Sequence, residues 1–195
     1  MLDNSKDLKI IIVGDVGVGK TCIIYYYLKD KFNSEVTSTV SLSPSEYTKV
    51  INNKKFNLHI FDTAGQERYF SLTKSYLNNA NIIIIVYSVD NRASFEDLDK
   101  WLQKVNEVND RKDYVLGIAG NKCDLLETQI SEDEGRDYAK NNNAFFSLIS
   151  AKEKIGIKEF IDNLVIQYDK GSKLGDFGKN LQLTGKNTKK SNKCC

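Results

Sequence analysis

The feature that most constrains the fold is a glycine-rich segment, residues 14–21 (GDVGVGKT), which lies between an apolar run and a helical pattern. The segment matches the motif G-x-x-x-x-G-K-[ST], and the apolar run at residues 8–13 predicts a buried strand before it. In such a loop, glycines let backbone N–H groups surround phosphate oxygens, and the positive end of the next helix points at them. The sequence therefore predicts a strand, a phosphate-binding loop and a helix, in that order.

Two side chains of this loop are assigned to phosphate chemistry. Lys20 is expected to reach the β- and γ-phosphates of a nucleotide as a positive charge, and the Thr21 hydroxyl is expected to bind Mg²⁺. A chance glycine-rich turn is the alternative, and it is disfavoured because a strand and a helix are predicted on its two sides. The motif alone leaves kinases, ATPases and GTPases open.

Apolar runs separated by helical patterns recur along the chain and predict parallel strands that are covered on both faces. These runs lie at residues 8–13, 82–87, 114–119 and 144–149. Two further segments, 48–51 and 56–61, are joined by the polar residues 52–55 and predict a hairpin that adds an antiparallel edge to the sheet. Pro44, the sole proline, precedes this hairpin. The first hairpin strand is therefore predicted at the edge, because proline lacks the N–H that a central strand needs.

The predicted architecture is a three-layer α/β domain over residues 1–170, with a six-stranded mixed sheet and about five helices. Apolar stripes predict helices from Phe95 to Val105 and from Ile157 to Tyr168, and capping-box spacing predicts another that starts at Ser131. Residues 171–195 contain too few apolar side chains to offset the entropy of ordering, so they are predicted to form a flexible tail.

Composition narrows the class of protein. Residues 1–5 lack the pattern of a signal peptide, Leu2 excludes N-myristoylation, and no apolar run approaches the roughly 20 residues that would cross a bilayer. The four cysteines are too few for a disulfide scaffold, so Cys22 and Cys123 are interpreted as reduced thiols. The net charge is +2, although residues 171–195 carry six lysines and one aspartate. The basic character therefore belongs to the tail.

A second motif, Asn121-Lys122-Cys123-Asp124, follows the strand predicted at residues 114–119, where ligands of open α/β sheets bind. The Asp124 carboxylate can accept hydrogen bonds from both N1–H and the exocyclic amine of guanine, whereas adenine presents an acceptor at N1. We therefore predict a guanine nucleotide. By itself the motif also fits a polar turn between a strand and a helix, but its order and distance after the phosphate loop favour a nucleotide site.

With Asp62-Thr63-Ala64-Gly65-Gln66-Glu67 between these two motifs, the chain resembles the Ras superfamily of small GTPases over about residues 7–170. The longer run 62–69 (DTAGQERY) and the terminal Cys194-Cys195 resemble the Rab family, and the similarity around residues 66–72 favours its endocytic branch. The resemblance implies a GTP/GDP switch that hydrolyses GTP and recruits effectors in vesicular membrane traffic. It also implies a location on the cytoplasmic face of an intracellular membrane, with endosomes favoured.

The resemblance implies the catalytic and metal-binding residues. Gln66 would orient the attacking water, and Lys20 and Thr39 would complete the catalytic set. Thr21, Thr39 and Asp62 would hold Mg²⁺, the last of them through water.

It also implies the nucleotide contacts. The Gly65 N–H would bind the γ-phosphate, Phe32 would stack on guanine, and the Ala151 N–H would read O6. The implied GTP-binding set is Gly14, Asp15, Val16, Gly17, Val18, Gly19, Lys20, Thr21, Cys22, Phe32, Thr39, Gly65, Asn121, Lys122, Asp124, Ser150, Ala151 and Lys152.

The terminal pair Cys194 and Cys195 is implied to carry geranylgeranyl groups. Two lipid chains, or one chain beside basic residues, hold a membrane firmly, whereas one chain alone binds marginally. An unmodified pair of thiols is the alternative. The implied protein partners are effectors, an exchange factor, a GTPase-activating protein, a GDP-dissociation inhibitor and a prenylation escort, and no nucleic-acid partner is expected.

Some positions depart from the family pattern. Val16 occupies a position that is usually small or polar, so its branched side chain is expected to crowd the attacking water or Gln66 and to slow hydrolysis. Effectors of the family usually recognise a hydrophobic triad. Here residues 40–44 and Phe61 depart from the family pattern at this triad, whereas Tyr76 is retained.

Two alternatives to an ordinary switch are left open. A pseudo-GTPase scaffold that hardly hydrolyses GTP is favoured by Val16 and disfavoured by Gln66 and Thr39. A P-loop kinase is disfavoured because residues 62–67 and 121–124 have no role in one.

Overall fold

The computed structural model describes residues 5–29, 44–63, 77–108 and 113–171. Within these ranges, six strands form one sheet. The strands are β1 (Lys6–Val13), β2 (Ser45–Ile51), β3 (Lys54–Asp62), β4 (Ile82–Ser88), β5 (Val115–Asn121) and β6 (Phe145–Leu148). Their spatial order is β2-β3-β1-β4-β5-β6, and β2 pairs antiparallel with β3 whereas the other neighbours pair in parallel. The predicted six-stranded mixed sheet is confirmed.

Helices cover both faces of the sheet. In the described residues they are α1 (Lys20–Lys29), α2 (Arg92–Glu96), α3 (Leu98–Val108), α4 (Glu132–Asn141) and α5 (Ile157–Asp169). The capping box predicted at Ser131 is present, since its hydroxyl accepts from the Glu134 N–H and the Glu134 carboxylate accepts from the Ser131 N–H. None of the helices in these ranges is long and apolar enough to cross a membrane.

The helix predicted between Phe95 and Val105 is interrupted. Asp97 ends α2, and its backbone N–H donates to the carbonyl oxygens of Ala93 and Phe95. Since α2 and α3 are two parts of one predicted helix, the described residues hold four helical units.

The sheet separates two apolar clusters, which makes the domain a three-layer structure. Alternate residues of β1 face opposite sides: Ile10 and Ile12 pack with α1 and α5, whereas Ile11 and Val13 pack with α3. This alternation follows from the period of two along a strand. Strand β1 is therefore buried on both faces, and the loop that follows it leaves from the centre of the domain.

The hairpin differs from its prediction at the turn. Only Asn52 and Asn53 form the turn, with φ angles of 48° and 61°, and Lys54 and Lys55 belong to β3. A two-residue turn of this kind needs positive φ at both positions, which asparagine tolerates better than most residues. Pro44 lies directly before β2, and β2 is an edge strand as predicted.

Candidate nucleotide-binding site

The segments predicted to bind a nucleotide meet at one edge of the sheet. The phosphate loop follows β1, Asn121 is the last residue of β5 rather than the first residue after it, and Ser150 follows β6. Since these three strands are parallel, their carboxyl ends face the same way, and this edge is where ligands of open α/β sheets bind.

Glycines are required in the phosphate loop for both conformation and space. Gly14 and Gly19 have φ angles of 139° and 94°. A Cβ added at Gly14 would lie 2.2 Å from the Val86 carbonyl oxygen in β4, and one added at Gly19 would lie 2.3 Å from Asn121 Nδ2. The loop therefore packs directly on the backbone of β4 and on the end of β5.

Lys20 places a positive charge inside this loop. It is the first residue of α1 and is 5% exposed. Its Nζ donates to the carbonyl oxygens of Gly14 and Asp15, both at 2.6 Å. A buried ammonium surrounded by the loop is the electrostatic complement of an anionic phosphate.

Oxygen ligands suited to Mg²⁺ lie beside the loop. Thr21 Oγ1 donates to Asp62 Oδ2 at 2.6 Å, which brings the start of α1 next to the end of β3. The neighbouring Thr63 hydroxyl donates to the Ile12 carbonyl oxygen at 2.9 Å and ties that end of β3 to β1. Mg²⁺ prefers one or two protein oxygens together with phosphates and water, so Thr21 and Asp62 fit this ion.

The side predicted to bind the base is built around a nearly buried carboxylate. The Asp124 side chain is 9% exposed, and its Oδ1 accepts from Ser150 Oγ at 2.5 Å. Its Oδ2 lies 3.8 Å from Lys152 Nζ. Ser150 Oγ also accepts from the backbone N–H of Glu153 at 2.9 Å. The orientation of Asp124 is therefore fixed by the loop that follows β6.

Asn121 connects the phosphate side to the base side. It is 2% exposed, its Nδ2 donates to the Val18 carbonyl oxygen at 2.7 Å, and its Oδ1 accepts from the Ala151 N–H at 3.2 Å. The N–H assigned to guanine O6 thus has an internal partner in this structure. The motif predicted a base contact near Asn121 but not this link between two loops.

Lys122 has a partner that the sequence did not indicate. Its φ angle is 66°, and its Nζ donates to Asp90 Oδ1 at 3.5 Å. Asp90 also accepts from the Ser88 hydroxyl. Although burial alone would raise it, the pKa of Asp90 is lowered by the Ser88 hydrogen bond and by the Lys122 charge.

A residue outside every motif also reaches the phosphate loop. Trp101, in α3, donates from Nε1 to Asp15 Oδ1 at 2.7 Å. Sequence reasoning assigned no role to this position. The signal that could have found it is composition, because Trp101 is the sole tryptophan of the chain.

Comparison with known proteins decides the family. The Ras family model matches residues 9–170. The chain is 38% identical over 150 residues to Ras-related protein Rab-10 of Caenorhabditis elegans, covering 76% of this chain and 74% of that protein. It is 39% identical over 157 residues to Rab-11B of Dictyostelium discoideum, covering 80% and 71%. It is 30% identical over 194 residues to Rab5A of Oryza sativa subsp. japonica, covering 97% and 95%.

The chain belongs to the Ras family, as a Rab-type small GTPase. It binds and hydrolyses GTP, and the P-loop kinase alternative is excluded. The pseudo-GTPase alternative gains no support from the relatives. Members of this family use GTP or GDP together with Mg²⁺.

Several residues assigned to this GTPase lie outside the described part of the chain. They are Phe32, Thr39, Gly65, Gln66, Tyr76, Cys194 and Cys195, together with residues 40–43. Among the described residues, the Val16 side chain is 62% exposed, so it does not pack into the core. Cys22 and Cys123 are half-buried and form no disulfide, and burial raises the pKa of the Cys22 thiol.

Proposed function

We propose that the edge formed by residues 14–21, 121–124 and 150–152 binds GTP and GDP and that the bound nucleotide controls effector recruitment in membrane traffic. The observation that carries this proposal is the Asp124 carboxylate, which is nearly buried and is oriented by Ser150. A carboxylate held in this way accepts from the two donors on the guanine edge. The acceptor N1 of adenine would be repelled by it, so the site favours guanine.

The phosphate side would act mainly by positioning and by charge. Lys20 would hold the β- and γ-phosphates, with the loop N–H groups as further donors. Thr21 and Asp62 would hold Mg²⁺, which when bound supplies positive charge that neutralises the phosphate oxygens. The hydrogen bond between Thr21 and Asp62 keeps both oxygens at one place before the ion arrives.

Besides Lys20, hydrolysis would depend on residues outside the described ranges. Gln66 would orient the attacking water, and Thr39 and Gly65 would be held by the γ-phosphate, so that its loss releases both segments. No arginine of the described residues is assigned to the phosphates, so a GTPase-activating protein is expected to supply that charge in trans.

Val16 would set the rate of the intrinsic reaction. It follows Asp15 in the loop that would surround the phosphates, and its branched side chain is exposed and does not pack into the core. We infer that it narrows the space for the attacking water and makes hydrolysis slow while binding stays tight.

The base assignment can be tested by exchanging one acceptor for a donor. Asp124→Asn is expected to shift the preference from GTP to XTP, whose C2 carbonyl can accept from the new amide. Competition binding with GTP, XTP and ATP measures this shift, and Asp133→Asn, an exposed change in α4, serves as the control. Equal binding of ATP and GTP by the unaltered protein would show that the guanine assignment is wrong.

The tail is proposed to hold the protein on a membrane. The G domain is assigned to residues 1–170 and the tail to residues 171–195, with geranylgeranyl groups on Cys194 and Cys195. The prenylation escort, the GDP-dissociation inhibitor and the exchange factor would act on this form, on the cytoplasmic face of an intracellular membrane, and endosomes are favoured.

This attachment has a direct test. Replacing Cys194 and Cys195 by serine is expected to move the protein to the soluble fraction, because six lysines alone give only weak attraction that salt screens. Membrane fractionation at physiological salt measures the change. A double variant that stays on membranes would mean that another segment attaches it.

A further inference from the structure

The contact between Trp101 and Asp15 joins the phosphate loop to α3, a helix outside the segments predicted to bind nucleotide. The two residues are 86 positions apart, and the indole Nε1 donates to Asp15 Oδ1 at 2.7 Å. Trp101 is 4% exposed and packs in the cluster between the sheet and α3. A buried indole N–H normally finds one acceptor, and here that acceptor is a residue of the phosphate loop.

Asp15 is held through both its side chain and its backbone. Its side chain accepts from Trp101, and its backbone carbonyl oxygen accepts from Lys20 Nζ at 2.6 Å. Gly14, its neighbour, also accepts from Lys20. A change in the position of Asp15 therefore moves one of the two carbonyl groups that hold the buried ammonium.

The surroundings of Asp15 do not favour a carboxylate. Burial and the nearby Asp97 raise its pKa, although the Trp101 hydrogen bond and the Lys20 charge act in the opposite direction. A negative charge beside a loop that binds phosphate also adds repulsion. A carboxylate at this point needs a compensating role, and its hydrogen bond with Trp101 supplies one.

We propose that Trp101 is a positioning residue for the phosphate loop: its indole N–H holds Asp15 so that the loop keeps the shape that binds phosphate. The residue acts through Asp15 and does not touch the nucleotide. This inference rests on the proposed nucleotide site. Since coupling between two sites is reciprocal, nucleotide that orders the loop also strengthens the contact with α3.

Release of GDP tests the proposal through matched variants. Asp15→Ala removes the acceptor, and Trp101→Phe removes the donor while it keeps an aromatic ring. Each is expected to speed release of a fluorescent GDP analogue by about 10-fold, the size of a lost hydrogen bond to a charged group. The double variant is expected to release GDP no faster than the faster single variant, because both changes remove the same bond.

A packing control separates the bond from general damage to α3. Val105 is fully buried in the same helix, about one turn further on. Val105→Ala is expected to lower the melting temperature without changing GDP release. If Val105→Ala speeds release as much as Trp101→Phe does, or if the two single effects simply add, the positioning role is overturned.

The sole tryptophan also gives a direct spectroscopic signal. A ¹⁵N-labelled chain has one indole N–H resonance, which a hydrogen bond to a carboxylate moves downfield. This shift is expected in the unaltered protein and to be lost in Asp15→Ala. If the indole resonance does not move in Asp15→Ala, the positioning role of Trp101 is overturned and the proposed function is not affected. If the resonance moves but the unaltered protein binds no GDP, the proposed function is contradicted, and the positioning role that rests on it is overturned too.

Discussion

The phosphate side and the base side of the site are built in different ways. On the phosphate side, residues 14–21, the site is formed mainly by the backbone, because glycines with positive φ lie against β4 and β5. On the base side, residues 121–124 and 150–152, side chains carry the contacts, as Ser150 does for Asp124. Phosphate is common to all nucleotides, whereas the base differs. On the proposed assignment, tight binding would depend on the first region and discrimination on the second.

Gly19→Ala should cause the largest loss of nucleotide affinity on the phosphate side. The new Cβ would lie 2.3 Å from Asn121 Nδ2, and the φ angle of 94° is strained for alanine. We expect GDP affinity to fall about 100-fold or more, since the overlap adds to backbone strain. Isothermal titration with GDP measures the loss.

Gly17→Ala is the matched control for this change. Gly17 has a φ angle of 77°, but a Cβ there would meet nothing within 4 Å. Strain alone should cost about 1 kcal/mol, or about 5-fold in affinity. Equal losses in the two variants would mean that the contact with Asn121 does not matter.

Val16→Gly or Val16→Ser should separate hydrolysis from binding on the same side. Misplacing a reacting water by about 1 Å can cost about 10²-fold in rate, so hydrolysis should rise by up to that factor while nucleotide affinity changes little. Single-turnover hydrolysis of preloaded GTP measures the rate. Equal rates for Val16→Gly and the unaltered protein would rule out crowding by Val16.

Ser150→Ala should weaken the base side by a smaller amount. Asp124 would lose the hydroxyl that orients it, and GDP affinity should fall about 10-fold, the size of one hydrogen bond to a charged group. Ser147→Ala is the control, because the Ser147 hydroxyl donates to the neighbouring Leu148 carbonyl oxygen and not to Asp124. If the two variants bind GDP equally well, Ser150 has no part in base recognition.

The fold could be predicted from local patterns to a large extent. The apolar runs and the two motifs placed the strands and the loops in the right order, because period and turn chemistry act over a few residues. The errors were also local: the turn at Asn52 and Asn53 is shorter than predicted, and Asp97 divides a predicted helix. A single residue whose backbone leaves the regular conformation does not disturb an apolar stripe, so the pattern could not reveal it.

The site was predictable only as a set of segments. Asn121 joins Val18 to Ala151, and Trp101 joins α3 to Asp15, across 103, 30 and 86 residues of sequence. Such contacts depend on how the helices pack on the sheet, which no motif encodes. The roles of Gln66 and Thr39 stay predictions, since they lie outside the described residues.

The position of β1 has a consequence for the stability of the nucleotide-free protein. Because this strand is buried on both faces and ends in the phosphate loop, a ligand in the loop stabilises the whole domain against unfolding. Nucleotide at about 1,000 times its dissociation constant adds about 4 kcal/mol, a large part of the roughly 5–15 kcal/mol typical of a domain. The empty form, through which every exchange of GDP for GTP passes, is therefore the state most open to proteases and to aggregation. An exchange factor that binds this form would protect the chain from proteolysis and aggregation, in addition to promoting release of GDP.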